Sequence, residues 1–152
     1  MGLDMYLTKR SYVKNWDHMG PEERHTITVA GPQAAHIKPE RITSIEEEVM
    51  YWRKANAIHN WFVQNCQNGV DECQETYIPQ DQIETLLATL RTIVSDTSLA
   101  KDLLPPTSGF FFGSTELDNW YWDDVERTIP VLEQLVEDSN AHDFSVYYRA
   151  SW

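Results

Sequence analysis

Residues 43–65, TSIEEEVMYWRKANAIHNWFVQN, decide how this chain is built. Thr43 and Ser44 each precede a glutamate, Glu46 or Glu47, by three residues, which is the spacing of a capping box. That spacing predicts a helix running to about Asn65, with Gly69 as its stop. At 100° per residue, Ile45, Val49, Trp52, Asn56, His59 and Val63 share one face, flanked by Tyr51, Ala55, Ile58 and Phe62. A helix apolar over so much of its circumference has to be largely buried.

Strand patterns lie on either side of it. LDMYLTKRSYV (3–13) mixes β-branched and aromatic residues in near alternation, and HTITVA (25–30) reads as its hairpin partner. Further on, QETYI (74–78) is a short strand. Pro79 opens an amphipathic helix carrying Ile83, Leu86, Leu87, Leu90, Ile93 and Val94. SLAKDLL (98–104) adds one or two helical turns, ended by Pro105 and Pro106. SGFFFGS (108–114) reads as a buried strand, after which Ser114 or Thr115 caps a helix bearing Leu117, Tyr121, Val125, Leu132, Leu135 and Val136. Pro130 is expected to kink or split that helix, because its ring blocks the carbonyl of Glu126. DFSVYYRAS (143–151) closes the pattern as a strand.

Strands at both ends with helices between them predict one α+β domain over residues 1–152, with the terminal strands pairing in a small antiparallel sheet. Val49, Trp52, Phe62, Leu87, Leu90, Phe111 and Val125 are expected to share its core, with Arg91 and Lys101 in solvent.

The chain has 152 residues, 41% hydrophobic and 24% charged, enough to close a core without a metal or disulfide. No apolar run reaches the length of a membrane span, and the N-terminus has no signal-peptide pattern. With two cysteines, Cys66 and Cys73, a disulfide framework is excluded, and the expected setting is cytoplasmic. Residues 1–54 carry eight basic and eight acidic side chains; residues 55–152 carry four and sixteen, which accounts for the net charge of -12. That surface opposes nucleic-acid phosphates, so no nucleic-acid partner is expected. An anionic small ligand belongs near the first half, where Arg53 and Lys54 adjoin.

Three groups of residues bear on chemistry. In the first, Asn56 and His59 lie on the core face with Arg53 at its border, and buried polar groups need partners. Two roles suit them. They form a pocket floor, with Arg53 on a phosphate or carboxylate, Asn56 on a base or amide edge, His59 as donor or base and Trp52 stacking on a ring. Alternatively they form a structural network, with Arg53 paired to a carboxylate such as Asp124. The second group is Gly113-Ser114-Thr115, at a strand-to-helix junction whose first amides suit an anion. No Walker lysine follows, and Glu116 and Asp118 already occupy the first turn.

The third is the acidic-aromatic run ELDNWYWDDVE (116–126). Its spacing fits no EF-hand or zinc motif, and the five histidines are scattered, so no metal or other cofactor is expected. A solvated helix face is the plainer assignment.

Four segments carry a resemblance: MGLDMYLTKR (1–10), YWRKANAIHNWF (51–62), SGFFFGSTELDNWYWDD (108–124) and YYRASW (147–152). Together they resemble a family of small accessory proteins, without an assigned activity, found in tailed phages and bacterial genomes. The resemblance implies a host-cell cytoplasmic setting and a role in host takeover or evasion of host defence. It brings no functional residue with it.

The expected function is capture of a small anionic, nucleotide-like ligand without catalysis, at Trp52, Arg53, Asn56, His59, Ser114 and Thr115. Two alternatives stand beside it. One is an enzyme on the same ligand class, with His59 as base and Arg53 stabilising negative charge. The other is an acidic inhibitor that binds a host protein. Six Trp and seven Tyr also point to a homo-oligomer, since aromatics are enriched in interfaces.

Overall fold

The computed structural model describes residues 2–107 and 117–152. Its centre is a four-stranded antiparallel sheet built from β1 (Asp4–Tyr12), β2 (Ser44–Arg53), β3 (Thr76–Ile78) and β4 (Ser145–Ser151), in the order β2-β1-β4-β3. Four helices complete an α+β fold: α1 (Asn56–Cys66), α2 (Gln80–Ser95), α3 (Ala100–Leu103) and α4 (Asn119–Ala141). The terminal strands β1 and β4 pair antiparallel, as expected, with Met5 opposite Ala150 and Leu7 opposite Tyr148. Among the described residues, no helix is long and apolar enough to cross a membrane.

The period-2 pattern of the strands sorts their side chains. Met5, Leu7, Met50, Trp52, Ile78, Val146, Tyr148 and Ala150 all point into one core with Phe62 of α1, Leu86, Leu87 and Leu90 of α2, and Val125 and Leu132 of α4. Phe62 stacks on Tyr148 with ring centroids 4.0 Å apart. Tyr6, Tyr51, Tyr77 and Tyr147 occupy the opposite face of the sheet, where Arg10 lies 4.1 Å over the Tyr147 ring. Arg10 also forks between Glu46 and Glu75 at 3.0 and 3.2 Å, linking β2 to the approach to β3.

The helix expected over 43–65 is the main correction. Its first half is strand β2 and only its second half is helix α1. Thr43 caps nothing: its carbonyl accepts from Val13 N–H at 3.0 Å, beside the pairing of Ser44 with Tyr12. The physical reason is that MYWR carries an alternation stronger than the capping signal, with Met50 and Trp52 inward and Tyr51 and Arg53 outward. β1 is central in the sheet and needs a second partner, and β2 supplies it. HTITVA is therefore not a strand of this sheet, and its His25 backbone is held by the Asn15 side chain instead. Residues 13–43 form a long connection with two short 3₁₀ turns, Pro21–Glu23 and Pro39–Arg41. Gly69 does stop α1: at φ +76° its N–H reaches the Val63 carbonyl at 2.8 Å.

β3, α2 and the turns at Thr97–Leu103 fall where the sequence places them. The cap of α4 is Asp118, whose Oδ1 accepts from Tyr121 N–H at 2.9 Å. Ser114, Thr115, the SGFFFGS strand and Phe111 lie outside the described residues. Pro130 does not split α4, which continues through it as one helix. Thr128, Leu132 and Leu135, buried on both sides of the proline, hold the two halves on the core despite the absent N–H. Val49 packs against the core beside Trp52, Phe62, Leu87, Leu90 and Val125, while Arg91 and Lys101 are exposed.

Candidate functional site

The strand-to-helix junction after Trp52 sets up the site. Trp52 is fully buried, and the alternation of β2 therefore turns Arg53 out of the core. Lys54 then takes a left-handed backbone, φ 59°, with its N–H on the Leu3 carbonyl at 2.8 Å. For a residue with a Cβ that conformation is costly, and such costs concentrate at functional positions. Here it turns the chain sharply from β2 into α1. Ala55, at the N-cap of α1, offers no side-chain acceptor, and the Asn56 N–H is met instead by the Lys54 carbonyl at 2.9 Å, so the positive end of the helix has no side-chain cap.

That end opens into a cavity of about 550 Å³. One wall is the junction itself, Arg53 through Ile58. The facing wall is the first turns of α4, with Asp118, Trp120, Tyr121, Asp124 and Val125, and Leu104, Pro106 and Thr107 close a third side. Tyr121 fixes two of these walls together, since its hydroxyl donates to the Leu104 carbonyl at 2.6 Å. Burial pushes that phenol up to about 12, so it remains a donor at any physiological pH. Trp120 is 78% exposed and has its indole face free to meet a ring.

The electrostatics run from cationic to anionic across the cavity. Arg53 and Lys54 stand on the junction wall and two carboxylates on the α4 wall. Burial raises the Asp124 carboxyl above its ordinary value, and Arg127, 3.2 Å from Oδ1, opposes the shift. The Arg53–Asp124 ion pair weighed from sequence is not among the ion pairs of the described residues; Arg127 takes that carboxylate instead.

Of the residues expected at the site, Arg53 and Asn56 line the cavity. Trp52 and His59 do not. Trp52 Nε1 donates to Thr128 Oγ1 at 2.7 Å inside the core. His59 is buried, with Nδ1 2.6 Å from the Tyr148 hydroxyl and Nε2 2.9 Å from Asp71 Oδ2. Burial holds the Tyr148 phenol well above its ordinary value, so it keeps its proton and donates to Nδ1. Nε2 donates to Asp71, since a carboxylate only accepts, and the other oxygen of Asp71 accepts from the Trp152 indole at 3.1 Å. This imidazole has both nitrogens committed to holding α1, β4 and the 67–75 loop together.

Sequence reasoning missed the whole α4 wall. The run containing Asp118, Trp120, Tyr121 and Asp124 was noticed for its charge, and its solvated side is real: Asp123 and Glu126 are exposed. Its other side faces the junction, and that juxtaposition depends on the long-range packing of α4. The available signal was Asp118 as N-cap, which places Tyr121 and Asp124 about one and two turns later on neighbouring stripes.

Cys66 is a half-buried free thiol pushed up to about 11 by burial, which leaves it unreactive near neutral pH. Among the described residues no three His, Cys, Asp or Glu side chains are grouped to hold a metal ion. Comparison with protein-family models, curated proteins and solved structures gave no match.

Proposed function

We propose that this protein captures a small anionic, nucleotide-like ligand in the cavity between the β2–α1 junction and α4, and does so without chemistry. One observation carries the reading: the start of α1, which has no side-chain cap and lies beside Arg53, opens into a cavity of about 550 Å³ whose far wall presents Trp120. An anion suits the first part and an aromatic ring suits the second. The volume falls within the roughly 300–1,000 Å³ of small-ligand sites.

Binding is favoured over catalysis because His59, the base the sequence offered, lies outside the lining and has both ring nitrogens engaged. Sequestration of a host signalling nucleotide in the host cytoplasm would fit the phage accessory role that the resemblance implies. Four tyrosines, Tyr6, Tyr51, Tyr77 and Tyr147, share the outer sheet face and would suit the contact of a homo-oligomer.

The test is incubation with a mixture of mononucleotides and dinucleotides, removal of free ligand, and identification of what denaturation releases. Intact nucleotide, lost in Arg53→Ala, is the expected result. Chemically altered nucleotide would establish an enzyme. Recovery of no nucleotide would overturn the reading and favour the acidic inhibitor of a host protein.

A further inference from the structure

We infer that the cavity selects a base presenting two adjacent N–H donors, as guanine does, and that Asp124 is the residue that reads it. The inference rests on the nucleotide-binding reading above and goes on to the identity of the base. Three observations converge on it.

Asp124 is held among the lining residues with a side chain only 17% exposed. Arg127 reaches one of its oxygens, Oδ1. The second oxygen has no hydrogen-bond partner among the described residues, yet it is not sealed: the only fully buried, unpartnered side-chain oxygen or nitrogen among them is Gln67 Oε1. Asp124 Oδ2 is therefore an acceptor open to the cavity or to water. Its neighbour Asp118 is already engaged, since Oδ1 caps α4 through Tyr121 N–H. Desolvation of the Asp124 carboxyl is what an acceptor short of donors shows, and it agrees with this geometry.

The chemistry of the bases then discriminates. A carboxylate has only acceptors, and Oδ2 together with the second lone pair of Oδ1, which the single Arg127 bond leaves, can receive two parallel donors. Guanine offers N1–H beside its 2-amino group, two donors in line. Adenine and cytosine each place a ring-nitrogen acceptor next to their amino group, so a lone pair would face the carboxylate. Uracil flanks its single N–H with two carbonyls. Trp120, on the same wall about one turn before Asp124, supplies a stacking surface for the ring, and Arg53 stands opposite for the phosphate. A ligand lying across the cavity satisfies both walls at once.

Titration calorimetry with the 5′-monophosphates of guanosine, adenosine, cytidine, uridine and xanthosine tests this. GMP is expected to bind the wild-type protein about tenfold or more tighter than the other four, because a wrong base leaves the carboxylate unpaired. Asp124→Asn replaces one acceptor by a donor, so it should weaken GMP about tenfold and bring xanthosine monophosphate, which has a carbonyl in place of the 2-amino group, up to or above it. Equal affinity of the wild type for all five would overturn the base assignment and leave the binding reading intact. An unchanged GMP affinity in a folded Asp124→Asn protein would also overturn it. Failure of every nucleotide to bind the wild type would overturn both. Arg53→Ala serves as control, and it should weaken all five alike.

Discussion

Trp52 Nε1 donates to Thr128 Oγ1 at 2.7 Å, and the same hydroxyl donates to the Asp124 carbonyl at 2.6 Å. The largest side chain of β2 is thereby keyed to the turn of α4 that carries the cavity carboxylate.

Thr128→Val keeps the shape of that side chain and removes its oxygen, leaving the Trp52 N–H buried without a partner. The expected loss is about 1–3 kcal/mol in urea unfolding. In Trp52→Phe the donor is gone, and adding Thr128→Val there should cost less than it does in the wild type. Additive losses would show that the hydrogen bond contributes nothing.

Arg53→Ala and Trp120→Ala should each leave stability within about 0.5 kcal/mol of wild type, because both side chains are exposed. Both should nevertheless lose nucleotide capture. Arg53→Lys should bind poorly although it keeps the charge, since an ammonium lacks the two-pronged fork that matches phosphate oxygens. A binding-competent Arg53→Ala protein would remove the junction wall from the site.

Lys54 can be tested through its backbone. Lys54→Gly and Lys54→Ala lose the same side chain, but only glycine is at ease at φ 59°. Glycine should therefore be the more stable of the two by about 1 kcal/mol. Equal stability would mean that the junction relaxes when the side chain is removed.

Asp124 should make stability pH-dependent in an unusual direction. Its folded pKa is raised above the ordinary 3.8, so the folded protein holds a proton that the unfolded chain has already released. This contribution is fully present below 3.8 and is lost as pH rises through the folded value. Asp124→Asn should thus melt higher than wild type at pH 7 and at a similar temperature near pH 3. A lower melting temperature at pH 7 would show that Arg127 outweighs the desolvation. The expected gain, together with the expected loss of GMP, would mark Asp124 as kept for function.

Dialysis against a chelator should leave the melting temperature unchanged, which differential scanning calorimetry can read directly. Light scattering at micromolar concentration separately tests the expected homo-oligomer; a monomer there would count against it.

The fold was legible wherever one period ruled a segment. β1, β4 and α2 each show a single pattern, and their elements lie where that pattern puts them. Residues 43–65 carry two patterns at once, a capping-box spacing over Thr43–Glu47 and a strand alternation over Met50–Arg53. Only pairing with the central strand β1, a long-range event, decides between them. The site divided the same way. Arg53 and Asn56 line the cavity although the sequence pattern placed them on one continuous helix, whereas Trp120 and Asp124 join them there through packing between distant segments. His59 suited a pocket floor as well as a structural network from sequence, because no local signal reveals Tyr148 and Asp71 as its partners.

The placement of β1 between β2 and β4 bears on how the molecule assembles. The first strand of the chain is also the seam of its sheet, and one side of that seam waits for the last strand to arrive. Entropy of closing so long a loop grows only logarithmically, so the delay is kinetic more than energetic. Until β4 docks, β1 exposes an unpaired edge and Phe62 lacks the ring of Tyr148. A chain halted at that stage would offer an adhesive strand to its neighbours. Protection of the β1 amides from solvent exchange should therefore appear late in refolding, together with that of β4.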